Sequence, residues 1–130
     1  MENHDRESKR IKRTNCIIFG IFVGLVLAIL AVGIAYSCQR SFSTKKWESN
    51  PEERTKIVDD LLCDYDLIGM RESEIMELLG SDDHDYGYFN EKDRFVYYLG
   101  PERGLISIDS EWLILNFENG VVSECFITTD

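Results

Sequence analysis

The residues of this chain best suited to chemistry gather in one acidic stretch, Ser81 to Asp93, where His84 stands among Asp82, Asp83 and Asp85. An imidazole that titrates near neutrality beside a carboxylate could act as a general base or bind a metal ion. The spacing argues against both. Residues this close in sequence converge on one ion only in an unusual loop, and the other histidine, His4, lies far away near the N-terminus. An EF-hand register started at Asp83 puts Asp85 at a ligand position. It then needs glycine and glutamate where the chain has Tyr88 and Arg94. Nucleophiles fare no better: Ser107, Ser110 and Ser123 lie in no G-x-S-x-G context, and Cys63 falls on an apolar helix face with no assigned histidine. The carboxylate pairs Asp59/Asp60 and Asp82/Asp83 are sequence neighbours. They do not face each other across a cleft as an acid and base must, and a solvated acidic face accounts for them. No catalytic residue, cofactor or metal site is expected.

A binding surface is the better candidate. Tyr86, Tyr88 and Phe89, with Tyr97 and Tyr98 further on, supply the aromatic side chains that interfaces favour. Plain sheet and loop packing is the competing explanation. Strand alternation sends only one of Tyr97 and Tyr98 into a core, leaving the other exposed or covered by a loop. Cys63 and Cys125 are a candidate disulfide, which in an oxidising compartment would stabilise by roughly 2–4 kcal/mol, with two buried free thiols as the alternative. The absence of any C-x-x-C pair argues against redox chemistry.

These residues sit behind a segment that decides where they work. Cys16 to Tyr36 contains no charge, no proline and no amide side chain. At about 1.5 Å per helical residue it reaches roughly 30 Å, the thickness of a hydrocarbon core. Arg6, Lys9, Arg10, Lys12 and Arg13 precede it, a denser cationic cluster than Arg40, Lys45 and Lys46 beyond it. The positive-inside bias therefore keeps the N-terminus in the cytoplasm and the C-terminal domain outside. The apolar run is longer than a typical signal-peptide core, favouring a retained span over cleavage or lipidation at Cys38. Gly20, Gly24 and Ala28 recur every fourth residue and form a candidate helix-packing ridge for weak self-association.

Charge divides along the same line. Residues 1–15 carry five basic and three acidic side chains, whereas residues 41–130 carry eight basic and 21 acidic, net −13. Such a field repels nucleic acid and gives no attraction to anionic lipid. The expected organisation is a basic cytoplasmic tail (1–15), a transmembrane helix (16–37), a tether (38–49) whose Phe42 and Trp47 either lie at the membrane interface or dock on the domain, and one small extracytoplasmic domain (50–130).

Within that domain Asn50-Pro51-Glu52-Glu53 reads as a helix start, and Ile57, Val58, Leu61, Leu62 and Tyr65 give about four turns an apolar face. A second helix is expected from Glu72 to Leu79, stopped by Gly80, although Arg71 is a poor cap. Three strands follow, over 94–99, 112–117 and 121–127, the last two joined by an Asn119-Gly120 turn. Leu105 to Ile108 is either a short strand or a linker. The predicted fold is α+β: a single transmembrane helix, then an ααβββ domain with two helices packed on an antiparallel three- or four-stranded meander.

Several of these stretches resemble the SmpA/OmlA-like (BamE-like) small envelope domains, especially membrane-tethered Gram-positive members. They are Asn50-Pro51-Glu52-Glu53-Arg54, Ile57-Val58-Asp59-Asp60-Leu61-Leu62, Leu67-Ile68-Gly69-Met70 and Glu74-Ile75-x-x-Leu78-Leu79-Gly80. Tyr97-Tyr98-Leu99-Gly100, Trp112-Leu113-x-Leu115-x-Phe117 and Asn119-Gly120-x-Val122 extend the likeness to about residues 47–128. The chain departs from that pattern at Arg71, where Ser or Thr is usual, and at Ser81-Asp82-Asp83, where a proline is usual. The resemblance implies a non-catalytic envelope accessory module that binds another envelope protein. An inhibitor or immunity-type protein blocking a hydrolase, and a membrane-proximal metal-dependent hydrolase, are the alternatives.

Overall fold

The computed structural model describes residues 2–83, 89 and 91–130, with the side chains of all of these except 2–9 and 11. The chain forms two compact units, Met1–Cys38 and Gln39–Asp130.

The first unit is helical throughout its described residues, part of helix α1 (Glu2–Arg40), and within that helix Lys12–Arg40 is long and apolar enough to cross a membrane. Its large aliphatic and aromatic side chains are exposed along the whole run, as lipid-facing groups are, and the segment is a bilayer anchor. A Cβ placed on Gly20 or Gly24 would meet nothing within 4 Å, so the proposed ridge with Ala28 is an open face.

The second unit is α+β. Helices α2 (Thr44–Ser49), α3 (Val58–Asp64) and α4 (Glu72–Leu79), with a 3-10 helix over Pro51–Lys56, pack on an antiparallel sheet of order β1-β2-β3. The strands are β1 (Arg94–Pro101), β2 (Ser110–Glu118) and β3 (Val121–Thr129). Tyr97 and Leu99 from β1, Leu113, Leu115 and Phe117 from β2, and Val122 from β3 meet Trp47, Val58, Leu61, Ile75 and Leu79 in the main core. Asn119 and Gly120 both take positive φ, 53° and 78°, which is the tight two-residue turn expected between β2 and β3.

Two features differ from the sequence expectation. The first is in residues 38–49, read as a tether: α2 forms there, Ser43 Oγ accepts from Lys46 N, and Trp47 is completely buried. Phe42 also docks on the domain, its ring 6.0 Å from Trp47 and 5.6 Å from Tyr65, its N–H donating to Asp60. A marginal core of this size cannot leave a tryptophan outside.

Second, the single four-turn helix is broken at Ile57 into a 3-10 helix and α3. Tight winding brings Glu52 against β1, so close that a Cβ on Gly100 would fall on the Glu52 carbonyl oxygen. Gly100 accordingly holds φ +127° at the β1 bulge.

Helix α4 spans the expected residues, and Arg71 gives it no side-chain cap, in keeping with its residue type. The Glu74 carboxylate accepts from Arg71 N instead, and the Gly120 carbonyl from the distant hairpin accepts from Glu72 N at 3.3 Å. Of the two readings of Leu105 to Ile108, the structure has the linker: the stretch forms no strand and is exposed.

Candidate functional site

β2 reads Trp112-Leu113-Ile114-Leu115, a continuous apolar run rather than an alternating one, and a strand of that kind is buried on both faces. Alternate residues Leu113 and Leu115 enter the main core, while Trp112 and Ile114 project to the opposite side with Val96 of β1. Phe89 and Tyr98 pack there as half-buried neighbours. Phe89 lies 6.0 Å from the Trp112 ring and Tyr98 lies 5.2 Å from it, both edge-on. Phe126, paired across the ladder with Ile114, continues this outer face and is 37 % exposed.

The aromatic group singled out from sequence is therefore divided. Tyr97 is fully buried in the main core and its hydroxyl donates to the Gly80 carbonyl at 2.9 Å, which removes it from any binding surface. Burial, with Asp82 and Asp83 beside it, holds that phenol well above its ordinary pKa. Tyr98 and Phe89 come together on the outer face. Tyr86, Tyr88 and His84 lie outside the described residues. Trp112, absent from the sequence-derived group, is the centre of the outer aromatic cluster, and the unbroken apolar run of β2 is the signal that could have found it.

The two edges of the sheet differ. On β1, Asp83 N donates to the Val96 carbonyl and Asp83 Oδ2 accepts from Tyr98 N, while Arg54 Nη1 donates to the Tyr98 carbonyl. That edge is occupied by side chains and a crossing segment. On β3, Val122 exchanges hydrogen bonds with Met70 and Gly69. Among the described residues no backbone hydrogen bond reaches the outer edge of β3 beyond that point. A register shift opposite Asn116 and Phe117, which leaves Ser123 as the extra residue of β3, lets Val122 and Cys125 both face the core, with Ser123 Oγ donating to the Asn116 carbonyl.

Cys63 is exposed on α3 and Cys125 is half-buried on β3, and no bond joins the two in this structure. Burial raises the Cys125 thiol pKa. Ser107 donates to the Glu102 carbonyl and is engaged in loop closure. Among the described residues no group of three or more metal-binding side chains occurs. An open hollow of about 410 Å³ is lined by Glu72, Asp93, Phe117, Glu118, Asn119 and Gly120, and the ionisable side chains lining it are all carboxylates.

No known family model, curated protein or solved structure matches this chain. The likeness to the SmpA/OmlA-like domains thus stands on its residues alone, and what the architecture supports is the coarser description. This is a small helix-plus-sheet domain behind an N-terminal membrane-anchoring helix.

Proposed function

We propose that this protein is a non-catalytic, membrane-anchored interaction module that binds another protein of the cell envelope, with its N-terminal tail in the cytoplasm and its domain outside. The basic cluster before α1 supports that orientation. The open outer edge of β3, next to the aromatic outer face, carries the binding reading. Edge strands with unpaired backbone groups either are blocked or recruit an added strand, and among the described residues the β1 edge is blocked while the β3 edge is open beyond Val122. Phe126 supplies an apolar side chain beside that edge. The resemblance to envelope accessory domains supports the same conclusion.

Photocrosslinking in intact cells tests it. The full chain with a photoreactive phenylalanine analogue at Phe126 should give a discrete protein adduct, and the same analogue at Leu62, exposed on α3, should not. Absence of any adduct at Phe126 above a control domain tethered by the same span would refute the reading.

A further inference from the structure

The β1–β2 connection presents three aliphatic side chains to the outside: Leu105 is 106 % exposed, Ile106 75 % and Ile108 83 %. Single exposed aliphatic residues are commonplace, but three within four positions at the tip of one loop form a local apolar patch. The stem beneath them is pinned. Glu102 N donates to the Asp109 carbonyl at 2.9 Å, and the Glu102 carbonyl accepts from Gly104 N and from the Ser107 hydroxyl. Arg103 is gripped by the buried carboxylate of Glu111 at 3.0 Å and by Asp59 of α3 at 2.8 Å. Burial alone would lower the Arg103 pKa, but the hydrogen bonds it donates to the Asp59 and Glu111 carboxylates hold it above its ordinary value. A stem fixed in this way keeps the tip from folding back onto the main core.

The chemistry of the tip and the connectivity of the chain point to one occupant. From Gly104 to Ile108 there is no charge and no aromatic group, only aliphatic side chains, glycine and one hydroxyl, which suits acyl chains. The same chain carries a bilayer anchor ending at Arg40, and only residues 41–43 separate it from α2. Three residues reach at most about 10 Å, so the domain experiences the bilayer at high effective concentration. The acidic balance of the domain offers no electrostatic attraction to anionic headgroups, leaving apolar insertion as the means of contact. We propose that Leu105, Ile106 and Ile108 form a finger that inserts into the hydrocarbon region of the bilayer surface beside which the domain is anchored.

Tryptophan quenching by brominated acyl chains tests this with the full chain in phosphatidylcholine vesicles. The native Trp47 and Trp112 are buried in the domain and supply the background, measured on the unsubstituted protein. Ile106→Trp should add short-wavelength emission that is lost when the acyl chains carry bromine. Adding Leu105→Asp and Ile108→Asp should restore that emission and move it to longer wavelength. Long-wavelength emission from Ile106→Trp, unaffected by bromine, would overturn the proposal. Short-wavelength emission that ignores bromine but grows with the protein-to-lipid ratio would also overturn it, in favour of a contact between copies. Ile108→Trp gives the same readout from the neighbouring position if circular dichroism shows that Ile106→Trp disturbs the fold.

Discussion

Arg54 Nη1 lies 2.6 Å from Asp83 Oδ2 although 29 positions separate the two residues. Arg54 is only 4 % exposed, and its guanidinium also donates to the Trp47 carbonyl at 2.8 Å and the Tyr98 carbonyl at 2.9 Å, with its carbon 4.8 Å from the Trp47 ring centroid. One side chain thus ties α2, the 3-10 helix, the segment after α4 and β1 together. It also helps occupy the β1 edge, which is what leaves β3 as the open one.

Removing one member of this pair should cost far more than removing a surface ion pair. Asp83→Ala leaves a buried guanidinium without its counter-charge, and a loss of about 3 kcal/mol is expected in urea unfolding of the full chain in nanodiscs. Arg54→Met combined with Asp83→Ala should lose less than the two single changes added together. Single-variant losses below about 0.5 kcal/mol would mean that solvent screens the pair despite its burial.

The Tyr97 phenol gives the domain an alkaline weakness. Its folded pKa lies above the unfolded value, so its contribution to stability is complete below about pH 10, the ordinary tyrosine value, and is lost as pH rises toward the folded value. Tyr97→Phe removes the hydrogen bond to Gly80 and should cost about 1 kcal/mol at neutral pH. The variant should also lose less of its stability on the alkaline side. Equal pH slopes for the two proteins, measured by urea midpoint, would show that this phenol titrates freely.

The thiols should differ in reactivity. Thiolate is the reacting species, and burial raises the Cys125 pKa while Cys63 is exposed. In protein isolated without reductant, timed alkylation followed by peptide mapping should modify Cys63 first, with Cys125 reacting fully only after denaturation. If both resist alkylation until a reductant is added, they are bonded to one another in the cell.

The elements that could be read from the chain are those whose determinants are local. α4 falls over Glu72–Leu79 as expected because its apolar spacing and Gly80 act within one or two turns. The hairpin follows from Asn119-Gly120, whose residue types admit positive φ. The misread stretches all depend on distant partners. Ser43 to Ser49 carries too few apolar residues to signal a helix, yet Trp47 becomes the centre of the core once Tyr97 and Arg54 are beside it. The split at Ile57 goes with the close approach of Glu52 to Gly100, nearly fifty positions along the chain.

Taken alone, the order of residues determined the anchor helix, the acidic character of the domain, the antiparallel meander and its tight turn. Each rests on composition or on a repeat of one to four residues. Only the tertiary structure decided which tyrosine is core and which is surface, which sheet edge is open, and that Leu105, Ile106 and Ile108 have nothing of the domain over them. Those outcomes depend on long-range pairing, the buried Arg54–Asp83 contact and the two strand bulges above all. A pattern with a period of two cannot announce where one extra residue will shift it.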